Sequence, residues 1–168
     1  IVVIGVLAGF QLALRGGLSL ALTQKTDENR AEEAATKNEF ALVKIAVVGD
    51  IMMHSPQMKA GYDSRTQQYD FTPFFTAIKP YLVSADLTLG NLETPLAGQE
   101  WKYTGYPMFN SPTALAAALK NSGFDFLTTA NNHCLDRGGT GIVTTLDSLD
   151  SYGLKHTGTA RSSSERDR

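Results

Sequence analysis

Residues 124–136, which read FDFLTTANNHCLD, decide the fold of this chain. The apolar run that ends at Thr129 predicts a buried β-strand, and the polar residues Asn131, Asn132 and His133 follow it almost at once. Polar side chains packed together at the end of a buried strand are costly unless a ligand binds them. In α/β proteins, ligands collect at the carboxyl edge of the sheet. The stretch therefore predicts an α/β fold with a binding site at that edge.

Two earlier predicted strands end in polar clusters of the same kind. Residues 44–48 are followed by Gly-Asp-Ile-Met-Met-His, and residues 86–89 are followed by Gly-Asn-Leu-Glu. Because parallel strands end at the same edge, the three clusters are expected to meet at one rim. Their oxygen and imidazole groups suit manganese, iron or zinc better than calcium. The side chains concerned are Asp50, His54, Asn91, Glu93, Asn131, Asn132 and His133.

Each cluster has a simpler explanation when it is considered alone. An aspartate after a strand, such as Asp50, more often stabilises a turn or caps a helix. Glu93 is explained equally well as a loop carboxylate. The pair Asn132-His133 is more informative, because a neutral amide beside an imidazole has little structural use at a strand end. The three clusters together favour a site.

Length and charge limit the possible functions. The chain has 168 residues, enough for one domain of ordinary size. A net charge of −2 and a pI near 5.9 provide no basic surface for nucleic acid, so no nucleic-acid partner is expected. The single cysteine, Cys134, is more simply explained as a small buried residue than as a catalytic thiol.

The beginning of the chain is strongly apolar. Residues 1–22 are aliphatic apart from Arg15 and a few small or polar residues, and as one helix they would span about 33 Å, enough to cross a bilayer. A membrane anchor is favoured; a cleaved signal peptide, suggested by Ser19-Leu20-Ala21, and a buried core helix are the alternatives. Either of the first two places the remainder outside the cytoplasm. The predicted organisation is an anchor or signal segment at 1–22, a polar linker at 23–40, a domain at 41–160 and a polar tail at 161–168.

Strands and helices alternate through the domain. Strands are predicted at 45–48, 87–89, 126–129 and 154–157, and helices at 72–78, 114–120 and 141–152. Pro80 is expected to end or kink the first helix. Residues 94–110 predict a long irregular segment, either a surface loop or a lid over the site. The alternation favours a parallel sheet with helices on both faces.

Three motifs carry a resemblance to a known family. They are Gly-Asp-x-Met-x-His from Gly49, Gly-Asn-Leu-Glu-Thr-Pro from Gly90, and Ala-Asn-Asn-His-x-x-Asp from Ala130. In this order they resemble the CapA/PgsA capsule-synthesis proteins, over residues 44–159. The resemblance implies a membrane-anchored protein that faces the extracellular side and takes part in poly-γ-glutamate capsule production. It also implies a domain similar to the calcineurin-like metallophosphoesterases, an αββα sandwich that carries two metal ions.

The resemblance further implies roles for individual residues. The implied metal ligands are Asp50, His54, Glu93 and Asn132. The implied supporting residues are Asn91 and Asn131. As the catalytic acid, His133 would face the leaving group, and Asp136 would fix the tautomer of its ring.

One departure from the phosphoesterase pattern concerns the later histidines. Those enzymes complete the second metal site with a single histidine and a His-x-His pair, whereas only His156 follows His133 here, inside a predicted strand. The resemblance therefore implies only the N-terminal half of the sandwich. Three functions remain open: a capsule-synthesis component whose partners are the membrane, other capsule-synthesis proteins and poly-γ-glutamate; a metal-dependent phosphoesterase outside the membrane; and a non-catalytic scaffold.

Overall fold

A computed structural model of the chain describes residues 41–167. The described part contains a four-stranded sheet, a two-stranded hairpin and six α-helices. In chain order the elements are β1 (Ile45–Ile51), α1 (Ser55–Ala60), β2 (Tyr62–Asp63), β3 (Gln68–Tyr69), α2 (Thr72–Phe75), α3 (Lys79–Leu82), β4 (Leu87–Leu92), a 3₁₀ turn (Gln99–Trp101), α4 (Ala114–Ser122), β5 (Phe126–Thr128), α5 (Gly138–Ser151), β6 (Lys155–Thr157) and α6 (Ser163–Arg166).

The main sheet is entirely parallel, with strand order β1-β4-β5-β6. The predicted α/β class with a parallel central sheet is confirmed. The strand order advances in one direction, and right-handed crossovers then place the connecting helices on the same face. The expectation of helices on both faces is therefore wrong for the described residues. Strand order, which sets this outcome, is not encoded in the alternation of elements.

The two faces of the sheet differ in how well they are covered. Thr88 and Leu127, on the helix-covered face, are 0% exposed. Leu127 is part of the hydrophobic core, which also contains residues of α4 and α5. Gly90 lies on this face, where an added Cβ would come within 2.7 Å of Ile51 Cδ1 and 2.9 Å of Phe124 Cε1. On the opposite face, Val47 is 62% exposed. A sheet that helices cover on one face alone has the arrangement of one half of a two-sheet sandwich, which is a sheet with its helix layer.

The helix predicted over 72–78 is present only as the short α2 at Thr72–Phe75, and a separate short helix, α3, follows at Lys79–Leu82. Pro80 does not end a helix; it lies in the first turn of α3, where the missing N–H is not needed. The two later helices are confirmed with shifted ends. Gly123 ends α4 in the left-handed conformation, with φ 98°, and Gly153 follows α5 with φ 66°.

Several predicted segments lie at the margins of the described part. The expected anchor at 1–22 and linker at 23–40 fall outside the described residues. Among residues 41–167, no helix is both long enough and apolar enough to cross a membrane. In the predicted polar tail, Arg161 forms ion pairs with Asp147 and Asp150, which attach the tail to α5, and a third ion pair with Glu165 of α6.

Candidate functional site

A β-bulge in β1 determines the position of Asp50. Val47 pairs with Leu89, but Asp50 pairs with Asn91, so β1 holds one residue more than its partner between these two points. If the same residues paired regularly past Val47, without a bulge, Asp50 would lie opposite Leu92 and would point to the helix-covered face, because side chains alternate along a strand. The bulge instead places Asp50 on the open face at the carboxyl edge.

Asn91 connects the ends of three strands through its side-chain amide. Its Nδ2 donates to Asp50 Oδ1 at 2.8 Å, and its Oδ1 accepts from Thr128 Oγ1 at 3.0 Å and from Asn131 Nδ2 at 3.3 Å. Asn131 also donates to the carbonyl of Leu92 at 2.9 Å. The two donors at Oδ1 fix the orientation of the Asn91 amide, and its Nδ2 is thereby directed to the Asp50 carboxylate. The supporting roles expected of Asn91 and Asn131 stay predictions, and these contacts place both side chains beside Asp50 and the end of β4.

Glu93 lies beside Asp50 just past the end of β4. Its backbone N–H donates to the carbonyl of Ile51 at 2.9 Å, which extends the pairing of β1 and β4 to the site. Burial raises the pKa of Glu93 above its ordinary value, and the hydrogen bond to Asp50 and the Asp50 charge raise it further, while His133 opposes the shift. Two carboxylates this close repel each other when both are ionised, and they share a proton or bind a cation.

His133 and Asp136 form a pair in the loop between β5 and α5. His133 Nδ1 lies 2.9 Å from Asp136 Oδ2, and the side chains are 14% and 9% exposed. An ionised carboxylate only accepts hydrogen bonds, so Nδ1 carries the proton and Nε2 is left for a ligand. The backbone N–H of Phe109 donates to the same Oδ2 at 2.6 Å. The backbone N–H of His133 is in turn bound by Asn131 Oδ1 at 3.0 Å.

Phe109 lies in contact with both histidines of the site. Its ring meets the ring of His133 at 4.7 Å and that of His54 at 5.0 Å, in edge-to-face arrangements in both cases. His54 is the residue that precedes α1, and its side chain makes no capping bond there. The His54 ring therefore packs on Phe109, and its role as a co-ligand with Asp50 stays a prediction.

The predicted metal ligands are brought together only in part. Asp50 and Glu93 are adjacent, and His133 is close enough for its charge to act on Glu93. Asn132 is exposed. Within residues 41–167, no group of three or more His, Cys, Asp or Glu side chains is arranged to hold a metal ion. The paired carboxylates fit a cation by their chemistry, and amide oxygens would have to supply part of the remaining coordination.

Three residues of the site were not predicted from the sequence. Phe109 contributes a backbone N–H, Thr128 a hydroxyl and Arg137 a guanidinium that binds the loop of Phe109. Thr128 could have been found, since it ends the predicted third strand; no sequence signal marks the other two. His156 lies on β6, and its Nε2 is 3.0 Å from Asp150 Oδ1 of α5, so this ring nitrogen is engaged away from the site.

The paired carboxylates and the His–Asp pair lie at the carboxyl edge of the parallel sheet, which is the edge where α/β proteins bind their ligands. Residues 44–168 match the profile of the bacterial capsule synthesis protein family PGA_cap. The chain belongs to this family, and the resemblance found in the sequence is confirmed.

Proteins with a similar sequence are found in two bacteria. The capsule biosynthesis protein CapA of Bacillus anthracis is 29% identical over 151 residues, which cover 84% of this chain and 34% of CapA. The proteins y4sH and y4uA of Sinorhizobium fredii are 32% and 31% identical over 125 residues each, 70% of this chain and 25% of either protein. The chain thus spans a quarter to a third of the length of these relatives.

Proposed function

We propose that this chain is a membrane-anchored component of poly-γ-glutamate capsule synthesis or export, with its domain on the extracellular side. Membership of the capsule synthesis family and the likeness to the CapA protein of B. anthracis support the capsule role. The apolar sequence of residues 1–22 supports the anchor. The proposed partners are the membrane, other capsule-synthesis proteins and the poly-γ-glutamate polymer.

The site is proposed to work as a metallophosphoesterase-like hydrolytic centre. The observation that carries this proposal is that the Glu93 carboxyl lies beside Asp50. Burial raises the pKa of Glu93, and the neighbouring Asp50 carboxylate raises it further. A divalent manganese, iron or zinc ion would relieve the repulsion between the two groups. Asp50 and Glu93 would hold it, with His54 and Asn132 as further ligands. When bound, such an ion polarises a phosphoryl oxygen and activates water.

The other residues of the site would act on protons and on orientation. Asp136 holds the Nδ1 proton of His133, so Nε2 is the atom that exchanges a proton with the substrate. Asn91 holds the Asp50 carboxylate at a fixed angle. Phe109 covers one side of each imidazole and keeps water from that side.

The test is metal binding by the full chain. Calorimetric titration with Mn²⁺ should show binding that Asp50→Asn and Glu93→Gln abolish. Asn91→Ala should weaken it by about 10-fold, the usual effect of losing a residue that supports a ligand. Asp63→Asn removes the same charge from the β2–β3 turn, where Asp63 binds Arg65, and should leave binding unchanged.

Hydrolysis of bis(p-nitrophenyl) phosphate by the Mn²⁺-loaded chain is the second measurement. Activity that is lost with Asp50→Asn and kept with Asp63→Asn would support the hydrolase. Failure of the wild-type chain to bind manganese, iron or zinc would refute the metal centre and leave the scaffold role in the capsule machinery.

A further inference from the structure

We propose that Arg137 is a positioning residue for His133, acting through the peptide bond between Met108 and Phe109. The inference rests on the proposed function, in which His133 exchanges a proton with the substrate. Arg137 itself touches neither carboxylate of the candidate metal centre among its described contacts.

The guanidinium of Arg137 joins two segments that are distant in sequence. Its Nη1 donates to the carbonyl of Asp136 at 2.8 Å, within the histidine loop. Its Nη2 donates to the carbonyl of Met108 at 2.9 Å and to Thr104 Oγ1. The Thr104 hydroxyl in turn donates to the Met108 carbonyl. The planar fork of one arginine therefore holds the 104–108 segment against the histidine loop.

The Met108 carbonyl and the Phe109 N–H are opposite ends of one planar peptide unit. Arg137 binds the carbonyl end, and Asp136 Oδ2 binds the N–H end at 2.6 Å. The same Oδ2 accepts from His133 Nδ1. By fixing the plane of this peptide, Arg137 fixes the direction of the N–H that, together with His133, holds the Asp136 carboxylate in place.

The surroundings of Arg137 are consistent with this positioning role. Its Nε is buried without a hydrogen-bond partner among the described residues. The Nε–H group therefore loses its contact with water when the two terminal nitrogens reach their acceptors, which costs free energy. Gly141 allows the side chain to pass, since an added Cβ would lie 2.5 Å from Arg137 Cβ. A lysine keeps the charge but cannot reach three acceptors from one planar group.

The experiment compares Arg137→Ala and Arg137→Lys with Arg161→Ala in the full chain. Arg161 is a matched control, because it is also part-buried and binds three partners, but it lies in the C-terminal tail. The readouts are the hydrogen exchange rate of the Phe109 amide, the ring ¹⁵N shifts of His133, which report the tautomer, and hydrolysis of bis(p-nitrophenyl) phosphate with Mn²⁺.

Arg137→Ala should speed exchange at the Phe109 amide by about 10-fold or more, mix the two His133 tautomers, and lower kcat by about 10-fold with KM unchanged. Arg137→Lys should recover part of each loss, and Arg161→Ala should match the wild type. If Arg137→Ala fails to fold, Thr104→Val, which removes one acceptor and leaves the guanidinium, should shift the same readouts by a smaller amount.

The proposal is overturned if the Phe109 amide and the His133 tautomer in the Arg137 and Thr104 variants are those of the wild type, or if Arg161→Ala changes them equally. The exchange and ¹⁵N measurements need no catalysis. A wild-type chain without hydrolysis would therefore count against the proposed function, while the change in tautomer would still support the positioning role.

Discussion

Asn110→Ala should strongly destabilise the segment that carries Phe109. The Asn110 side chain is 0% exposed and makes three hydrogen bonds to the backbone of its own loop. Its Oδ1 accepts from the Ala97 N–H at 2.8 Å, and its Nδ2 donates to the carbonyls of Gly98 at 2.9 Å and Lys102 at 3.0 Å. The amide thus replaces the secondary structure that this irregular segment lacks.

The magnitude follows from the burial of each partner. Ala97 is 0% exposed, so its orphaned N–H cannot turn to water, which costs about 1–3 kcal/mol. Gly98 and Lys102 reach solvent, so each lost bond there costs only about 0.5 kcal/mol net. The expected loss in the free energy of unfolding is about 2–4 kcal/mol, the sum of these contributions.

Urea unfolding of the full chain measures this loss. With a slope of about 2 kcal/mol per molar, the midpoint should fall by about 1–2 M. Asn121→Ala on the exposed surface of α4 is the control and should cost less than about 0.5 kcal/mol. Asn110→Asp should be no better than Asn110→Ala, because its second oxygen would face two carbonyls. Equal midpoints for Asn110→Ala and Asn121→Ala would refute the reasoning.

Three further predictions concern the site and the core. In metal-free protein, the raised pKa of Glu93 means that the folded state favours its protonated form, so the free energy of unfolding should fall as the pH rises from the ordinary pKa through the raised one. Glu93→Gln should flatten that dependence in urea titrations with EDTA; an unchanged slope would exclude Glu93 as its source. Asp136→Asn should lower kcat for Mn²⁺-dependent hydrolysis by about 10-fold or more by releasing His133, and unaltered kcat would contradict the pair's role. Gly90→Ala should cost about 1–3 kcal/mol in thermal unfolding, since the new Cβ would overlap Phe124, and a neutral effect would show that the core yields there.

The parts of the fold set by local pattern were predictable from the sequence. Apolar runs located the strands, and a glycine follows each of the two longer helices, at Gly123 and Gly153, where the left-handed conformation favours this residue. The β2–β3 hairpin was missed, because two-residue strands carry no periodicity. The one-sided helix layer was missed because it depends on strand order, which is a property of the whole chain.

The candidate site divides in the same way. Side chains at strand ends, such as Asp50, Glu93 and His133, were predicted because parallel strands share an edge. The contribution of Phe109 was not, because it is made by a backbone N–H that any residue but proline would supply. The resemblance implied His54 as a ligand beside Asp50, which stays a prediction, whereas the contact of its ring with Phe109 could not be predicted because it joins two loops distant in sequence.

The bulge in β1 makes the site depend on a count of residues as well as on their identity. Because side chains alternate, the bulge between Val47 and Asp50, which takes up one extra residue, decides which face of the sheet every later residue of β1 occupies. Regular pairing of β1 with β4 past Val47 would keep every functional group in the chain, yet it would place Asp50 opposite Leu92 with its carboxylate towards the helix-covered core, and Ile51 would move to the open face. Such a shift in strand register damages the site and the core together, and no replacement of a side chain at the rim could repair it.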